Sequence, residues 1–478
     1  RLNGMHQAKV EWYSQPRKIG DIFLRTANPY SSKIRHSYSN QTYRKEVLQR
    51  GTTHVAVGFV DLGILFEADL RDAPSTAMSG PLRFLGIEMN PYAVAKTLVV
   101  WELIHQSTQD RHLRYVMQVW FSASWEEETE RMVKNVLTSL CDSYEHMQPK
   151  VAELLNHWRG ADRISLSNAR SQWANRSTMA RTSIADMERK QDRIAMARYE
   201  LTGDFGFPNG EVPTCGNTIM FCCPKDTPKL AREETIFSAF DWKAIVPLLS
   251  PRNTIIESAE MYAMERLSKL KHWAKHEMIT VNLVCAKVED MVDFIAANKP
   301  WTMSWSNVID YIDYAEFHRL ARACSIHGDT IHFGYSMNWV MDVFGVSILD
   351  FVGSERTEIR RHFIERANEC VDMTYSLYRV KGLLRFPPPT NPINTTSFVL
   401  EIGQHRNWAD YFFEIGRRQG PCQIANLEHA LGSPLSPTGG GTVSFTWTYD
   451  PEVKLLHERP DDAFFGHSHG QLKLPPSS

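Results

Sequence analysis

The sequence predicts an α/β fold whose mostly parallel sheet is interrupted by a large helical insertion. Two short runs, HVAVGFV at residues 54–60 and LRFLGIE at residues 82–88, are rich in apolar and β-branched side chains. Such runs are typical of strands buried on both faces. A helical pattern with an apolar face, NPYAVAKTLVVWELIHQ, follows the second run. Strand, loop, strand and helix in this order indicate a parallel sheet.

The patterns along the chain predict five parts. Residues 1–50 read as a polar N-terminal extension, residues 51–130 as the first part of the α/β domain, residues 131–275 as the helical insertion, residues 276–450 as the second part of the α/β domain and residues 451–478 as a flexible tail. Nothing in the insertion repeats at a fixed period, so a solenoid is not expected.

Capping residues predict where two helices begin. Asn90 is suited to the N-cap of the helix after the second strand, with Pro91 at its first helical position. Ser124, three residues before Glu127, predicts a capping box for the next long helix.

Strand signals return after the insertion and predict the rest of the sheet. Residues 278–295 read as a strand that leads into a helix, and residues 300–313 and 331–352 continue the alternation. A helix is predicted at residues 354–380. The sheet is expected to close with an antiparallel pair, TSFVLEI at residues 396–402 and TVSFTWTY at residues 442–449, which flank a helix at residues 407–420.

Composition excludes several classes of protein. Lys plus Arg (53) nearly balance Asp plus Glu (55), so no global field favours nucleic acid or an anionic membrane. There is no long uncharged apolar run and no signal-peptide pattern, which argues against membrane insertion and secretion. Eight cysteines without a CxxC pair favour a reducing compartment, and we expect a cytoplasmic protein. Because the chain begins at Arg1, we expect that an N-terminal piece is missing.

The turn after the first strand has only part of a glycine-rich nucleotide-binding pattern. Such turns use glycine so that the backbone can approach the ligand closely. Here Gly58 and Gly63 are present, but Val60 stands where a side chain would crowd a ligand. Asp61 lies in the same turn. Glu88 ends the second strand and is suited to accept hydrogen bonds from a ribose diol, although it equally fits a strand end above a helix N-terminus.

These residues resemble a known domain. The run from VAVGFVDLGILFEADL to LRFLGIEMNPYAVAKTLVVWELI is similar to the N-terminal domain of unknown function shared by the third dynein axonemal assembly factor and fungal MYND-finger proteins. The resemblance covers about residues 50–130 and 278–350, and this chain departs from the family turn at Val60 and Gly63. The matching positions are Gly58, Asp61, Leu62, Glu88, Asn90, Pro91, Ala95, Lys96, Ser306, Asn307, Asp310 and Tyr311.

The resemblance implies a Rossmann-like, methyltransferase-type sheet of seven strands with S-adenosylmethionine as the cofactor. By the same resemblance the cofactor-binding residues are Gly58 and Asp61 at the methionine moiety, Glu88 at the ribose, Asn90 beside it, and Glu289 or Asp290 at the adenine. The implied catalytic residues are Asn307 and Asp310 at the transferred methyl group, with Asp310 as the candidate base and Tyr311 orienting the substrate.

The function therefore has two interpretations. One is a methyltransferase whose acceptor is a small molecule or a protein partner. The other is a non-catalytic scaffold or assembly factor of the dynein-preassembly kind that keeps the fold without the donor site, since fold alone does not confer chemistry. The segment from Asn307 to Tyr311 also fits a purely structural role, capping the helix that follows it.

Two further patterns have weaker functional interpretations. A segment from Arg170 to Arg198 is rich in arginine and is predicted to be a helix that presents a basic stripe to RNA or to solvent. His272 and His276 stand four apart, on one helix face, but without a carboxylate motif, and no metal site is predicted.

Overall fold

The computed structural model describes residues 48–59, 61–68, 70, 80–144, 148–174, 189–207, 212–222, 240, 245, 248–326, 330–336, 339, 404–430 and 442–450. The strands among these residues are β1 (Thr53–Val57), β2 (Leu82–Glu88), β3 (Ser124–Trp125), β4 (Cys215–Gly216), β5 (Ile279–Cys285), β6 (Thr302–Ser304), β7 (Ile331–Ser336), β8 (Gln423–Ala430) and β9 (Thr442–Thr448).

Helices surround the strands. The α-helices are α1 (Gly63–Glu67), α2 (Pro91–Gln106), α3 (His112–Phe121), α4 (Glu127–Tyr144), α5 (Pro149–Gly160), α6 (Leu166–Ala174), α7 (Lys190–Thr202), α8 (Thr218–Phe221), α9 (Ile255–Lys275), α10 (Val292–Ala297), α11 (Tyr314–Ala323) and α12 (Gln404–Arg417). Short 3-10 helices span Val288–Met291 and Val308–Asp310. No helix in the described part of the chain combines the length and apolar character that a membrane span requires.

Seven of the nine described strands form one sheet in the order β5, β2, β1, β6, β7, β9, β8, and β3 and β4 form a separate pair. β1 is parallel to both of its neighbours, and β9 runs antiparallel to both β7 and β8. The predicted α/β sheet, mostly parallel, is therefore confirmed. From β1 the sheet grows toward β2 and β5 on one side and toward β6 and β7 on the other, so the strand order reverses at β1.

The central strands are buried on both faces, as their continuous apolar runs predict. Every residue of β1 is buried. Ala56 and Phe84 belong to the core that faces α2 and α9, whereas Val55 and Leu85 belong to the core that faces α11 and α12. Successive residues of β1 and β2 thus face opposite cores, and a shift of one residue would move each side chain to the other core. The strands therefore pair in one register, with Val55 opposite Leu85.

The helices from α2 to α9 lie between β2 and β5 along the chain, together with the small antiparallel pair β3 and β4. α2 begins as the sequence predicts. The Asn90 side chain accepts a 2.9 Å hydrogen bond from the Tyr92 amide, and Pro91 occupies the first helical position.

The predicted capping box at Ser124 is wrong. Ser124 belongs to β3, and its hydroxyl donates to Oδ1 of Asp204 at 2.5 Å. The amide that precedes α4, that of Glu126, instead donates to Oε1 of Gln118 on α3 at 3.1 Å. The pairing of β3 with β4 thus outweighs the local capping pattern.

The closing strand pair is only half as predicted. β9 confirms the strand signal at residues 442–449, and α12 confirms the helix signal at residues 407–420. β9 pairs with β7 on one side and with β8, at residues 423–430, on the other. The strand predicted at residues 396–402 and the helix predicted at 354–380 lie outside the described residues. β8 is an outer strand of the sheet that the described residues form, and its sequence QIANLEHA lacks the apolar run that marks a central strand.

Two buried histidines stand in the aromatic core between β7, β9, α11 and α12. His318 bonds to the Phe412 carbonyl and the Tyr449 hydroxyl, each at 2.9 Å. Because a carbonyl can only accept, Nε2 of His318 carries the proton and Nδ1 accepts from Tyr449. Burial lowers the pKa of His318 to about 4 and that of His332 to about 3, so both rings are neutral in the folded protein.

Candidate functional site

The carboxyl ends of four parallel strands meet at one edge of the sheet. Gly58 follows β1, Glu88 ends β2, Ala286 follows β5 and Trp305 follows β6. In open α/β sheets, ligands bind in the crevice outside the carboxyl ends, at the point where the strand order reverses. That point is β1 in this sheet, and the edge around Gly58 and Glu88 is the candidate site.

Gly58 is required at the start of this crevice. Its φ of +68° is in the left-handed region, and its amide donates to the Ile87 carbonyl at 2.8 Å. A Cβ atom at this position would lie 2.6 Å from Cγ2 of Val308. Both the backbone conformation and the close approach of Val308 therefore demand glycine. Val60, the residue that departs from the family pattern, lies outside the described residues.

The rest of the turn is anchored to the protein core. The Phe59 ring covers Gly86 of β2, where an added Cβ would lie 2.6 Å from the ring. Asp61 is buried, and its Oδ1 accepts from the Gly63 amide at 2.7 Å while its Oδ2 accepts from the Trp120 indole at 3.2 Å. Asp61, which the resemblance places at the methionine moiety, thus uses both carboxylate oxygens to fix the turn and α3.

Glu88 has the most perturbed carboxyl group at this edge. Its Oε1 accepts a 2.7 Å hydrogen bond from the Asn90 amide. Burial raises the pKa of Glu88 from 4.5 to about 7, and hydrogen bonds from the Asn90 and Met89 amides only partly oppose this shift. The Met89 side chain beside it is 66% exposed. A carboxyl that ionises near neutral pH, next to an accessible thioether, can accept from a diol while a flat ring packs on the sulfur.

The end of β5 lies directly beside Glu88. Cys285 is the register partner of Glu88, and the Ala286 amide donates to the Glu88 carbonyl at 3.0 Å. Burial raises the pKa of the Cys285 thiol, the Glu88 carboxylate raises it further and Lys150 opposes both effects. Gln148 contacts this strand end from the helical insertion through the Cys285 amide, at 2.7 Å.

Glu289 and Asp290, predicted to flank the adenine, follow β5 by one short turn. Both lie in the 3-10 helix Val288–Met291 and both are exposed. The Asp290 amide donates to the Lys287 carbonyl at 3.2 Å. The structure therefore places their carboxylates in solvent just beyond the strand that borders Glu88.

The chain after β6 adopts a strained conformation next to Gly58. Ser306 has a φ of +48°, which is uncommon for a residue with a side chain. Its carbonyl accepts from the Tyr335 amide and its hydroxyl contacts the Tyr335 hydroxyl, both at 3.0 Å. Backbone strain of this kind persists where surrounding contacts enforce it and is frequent at functional sites.

The three predicted catalytic residues lie in and around the 3-10 helix that follows. Oδ1 of Asp310 accepts from the Ser336 hydroxyl at the end of β7, at 2.5 Å. Tyr311 is 62% exposed, and its hydroxyl lies 3.5 Å from Nδ2 of Asn307, at the limit of a hydrogen bond. Val308 brings this segment against Gly58. Val308, which lies between Asn307 and Asp310 in sequence, is thus the residue through which this segment contacts Gly58.

The alternative interpretation of this segment, as a cap for the next helix, is wrong. Asp313 is the N-cap of α11, and its Oδ1 accepts from the Ala315 amide at 3.0 Å. The residues from Asn307 to Tyr311 instead form their own turn above β6.

Three residues of the candidate site were missed by sequence reasoning. Ser336 holds Asp310, Trp120 holds Asp61, and Gln148 holds Cys285. Only Gln148 left a local signal. It precedes Pro149 at the N-cap of α5, where Ser, Thr, Asp or Asn is usual, and its side chain makes no capping bond.

The described ends of the arginine-rich segment lie on α6 and at α7, which has Arg189 as its N-cap. Residues 175–188 lie outside the described residues, and the flanking arginines are on α6 and α7. Arg170 pairs with Asp204 at 2.7 Å, and Arg189 pairs with the fully buried Asp192 at 2.5 Å. These two side chains serve internal ion pairs, and the predicted basic stripe does not include them.

The remaining candidate sites have little support. Nδ1 of His276 bonds to the His272 carbonyl at 2.9 Å, and in the described part of the chain no three His, Cys, Asp or Glu side chains converge as metal ligands. A shallow depression near Gly420 and Cys422 lies at the amino end of β8, away from the carboxyl edge that holds Gly58.

Comparison with known proteins identifies no relative: the sequence matches no protein-family model and no curated protein.

Proposed function

We propose that this chain is a methyltransferase-like α/β protein that binds S-adenosylmethionine at the carboxyl edge of β1 and β2 and acts on a small-molecule or protein acceptor. The observation that carries the proposal is the Glu88 carboxyl. It ends β2 beside the point of strand reversal, it is half-buried, and its pKa is raised to about 7. A strand-end acid in this position is suited to hold a ribose diol.

The sheet supports the same proposal. The resemblance to methyltransferase-type folds implies seven strands that close with an antiparallel pair, and β8 and β9 supply such a pair. Met89 extends into solvent next to Glu88 and offers an apolar surface for the adenine. Glu289 and Asp290 lie beyond the neighbouring strand, where they can reach the outer edge of the base.

The residues after β6 suit the acceptor side. S-adenosylmethionine supplies an electrophilic methyl group, and methyl transfer then needs in-line positioning of the acceptor. The exposed Tyr311 ring can orient an acceptor, with the Asn307 amide beside it. Asp310 can accept a proton from an acceptor that carries one, and the Ser336 hydroxyl holds its carboxylate in place.

Titration calorimetry tests the donor site. We expect the full chain to release or absorb heat on binding S-adenosylmethionine and its product adenosylhomocysteine. Glu88→Ala should abolish most of this affinity, because it removes the acceptor for the diol. Glu153→Ala is the matched control, since Glu153 is an exposed glutamate on α5. Unchanged affinity in Glu88→Ala would refute the assignment of Glu88.

A second candidate function is a scaffold that keeps this fold without a donor site. Two contacts favour it: the Asp61 carboxylate is occupied by Gly63 and Trp120, and Val308 lies against the Gly58 turn. In that case neither S-adenosylmethionine nor adenosylhomocysteine produces heat with the wild-type chain at high ligand concentration. That single result separates the scaffold from the methyltransferase.

A further inference from the structure

The side chain of Gln148 forms an unusual contact with the edge of the sheet. Its Nε2 donates to the Leu283 carbonyl at 2.9 Å, and its Oε1 accepts from the Cys285 amide at 2.7 Å. One side-chain amide thus satisfies an acceptor and a donor of β5, as a peptide group of a neighbouring strand would. β5 is one of the two outer strands of the described sheet, and Gln148 pairs with its outer side, where no other described strand does.

The backbone of Gln148 belongs to the helical insertion. Its carbonyl accepts from the Ala152 amide at 2.9 Å and so forms the first hydrogen bond of α5. Gln148 therefore links the helical insertion to the sheet. Its backbone belongs to the start of α5, and its side chain bonds to the end of β5. Gln148 is separated in sequence from its two hydrogen-bond partners, Leu283 and Cys285, by 135 and 137 residues.

The strand end that Gln148 holds is the one that borders Glu88. Cys285 is the register partner of Glu88, and Ala286 donates to the Glu88 carbonyl at 3.0 Å. The Cys285 amide therefore donates to Gln148, and the next amide, that of Ala286, donates to Glu88. Glu289 and Asp290 follow on the same short segment, so its position also sets theirs.

We propose that Gln148 is a positioning residue of the donor crevice, which holds the end of β5 against β2 and thereby sets the environment of the Glu88 carboxyl. This inference rests on the proposed function. It makes the insertion part of the site, because the strength with which the crevice binds an adenosine ligand then depends on a contact from α5.

A pH profile distinguishes positioning from general stabilisation. Glu88 owes its raised pKa to burial, and a loosened β5 end would admit water beside it. The neighbouring Cys285 thiol is influenced by the Glu88 carboxylate and, in the opposite direction, by the Lys150 ammonium. The variants below replace neither Cys285 nor Lys150. Loss of Gln148 should therefore move the Glu88 transition to lower pH, toward its ordinary value.

The experiment uses the full chain and adenosylhomocysteine, titrated at pH values on both sides of the Glu88 transition. We expect Gln148→Ala to bind about tenfold more weakly, as the loss of two hydrogen bonds to the strand end implies. The pH at which Glu88 titrates should be lower in Gln148→Ala than in the wild type. Gln106→Ala, which removes an exposed amide on α2, is the control and should match the wild type.

Gln148→Glu provides a second variant in case Gln148→Ala folds poorly. A carboxylate keeps the acceptor for the Cys285 amide but loses the donor to the Leu283 carbonyl, so we expect an intermediate affinity. Hydrogen exchange of the peptide that contains Cys285 and Ala286 should be faster in both variants than in the wild type.

Each failure has a distinct signature. If Gln148→Ala binds adenosylhomocysteine as tightly as the wild type and its Glu88 transition lies at the same pH, Gln148 is not a positioning residue. The proposed donor site would be unaffected by that result. Weaker binding with an unmoved transition would also overturn the positioning role, because Gln148 would then only stabilise the fold. Absence of binding by the wild type would overturn the proposed function and this inference with it.

Discussion

The indole of Trp305 donates a 2.9 Å hydrogen bond to Nδ1 of His332. Since that nitrogen accepts, the His332 proton is on Nε2, which lies 2.9 Å from the Ser325 hydroxyl. The ring is fully buried, and His332 is the register partner of Met303 on β6. A neutral, buried histidine on β7 thus bonds to Trp305, the residue that follows β6.

This burial predicts acid sensitivity of the fold. The pKa of His332 falls from 6.5 in the unfolded chain to about 3 when folded. Between these values the unfolded chain binds the extra proton, so the stability that His332 contributes is fully present above pH 6.5 and is lost as the pH falls toward 3. The slope reaches about 1.4 kcal/mol per pH unit for each such histidine. His54 and His318, also with lowered pKa values, contribute in the same direction.

His332→Asn should reduce this slope. Denaturant unfolding measured from neutral pH into the acid range should show a shallower loss of stability than in the wild type, because one titrating group is gone. His272→Asn, at an exposed position, should leave the slope unchanged. Equal slopes in the wild type and His332→Asn would contradict the prediction.

Gly58→Ala should destabilise the protein by about 1–3 kcal/mol, the cost of a strained backbone residue. A Cβ would stand at a φ of +68° and 2.6 Å from Val308. Gly160→Ala is the control, because no atom lies within 4 Å of the added Cβ at that position in α5. The double variant Gly58→Ala with Val308→Ala should regain the stability lost to the clash with Val308, but not the stability lost to the strained φ. Urea unfolding measures all four proteins, and a neutral Gly58→Ala would refute the geometry of the turn.

How much of this site the sequence reveals depends on the range of the contacts. The turn at Gly58 and the acid at Glu88 follow directly from two apolar runs, because central parallel strands are buried on both faces and leave a continuous hydrophobic signal. The helix cap at Asn90 is equally local. These features were predicted, and the structure shows β1 and β2 paired as expected.

The contacts that define what each site residue does are long-range. Trp120 binds Asp61 across 59 residues, and Gln148 binds Leu283 across 135. No local pattern distinguishes a carboxylate that faces a ligand from one that faces an indole. β8 escaped prediction for a related reason: it is an outer strand among the described residues, and its sequence lacks the continuous apolar run that marks strands buried on both faces.

Asp61 is predicted to act on stability rather than on ligand affinity. Asp61→Ala removes the acceptor of the Gly63 amide and leaves the buried Trp120 indole without this partner. We expect a loss of about 1–3 kcal/mol, the cost of an unsatisfied buried donor. Trp120→Phe and the double variant complete a double-mutant cycle, which isolates the indole to carboxylate term. Additive losses in that cycle would show that the two side chains do not interact.

Glu88→Gln should change the pH dependence of stability in the sense opposite to that of the histidines. The Glu88 pKa rises from 4.5 to about 7 on folding. Between these values the unfolded chain releases the proton and the folded chain retains it, so stability falls as the pH rises through this range. The glutamine variant, which does not titrate, should lose this component. Unfolding of both proteins between pH 4.5 and 7 tests it, and parallel curves would contradict the raised pKa.

Arg189→Ala should destabilise the helical insertion far more than its place in an arginine-rich segment suggests. Its guanidinium pairs with the fully buried Asp192 and donates to the Ser250 and Asn253 carbonyls, at 2.5 and 2.9 Å. Without Arg189 the buried Asp192 carboxylate loses its cationic partner and keeps the 2.8 Å hydrogen bond from the Ile255 amide. Breaking a buried ion pair in this way costs about 3–5 kcal/mol. Arg198→Ala, an exposed position on the same helix, is the control and should unfold like the wild type. If both arginine variants unfold at the same denaturant concentration as the wild type, the pair of Arg189 with Asp192 does not stabilise α7. Arg189 would then count again among the arginines of the predicted basic stripe.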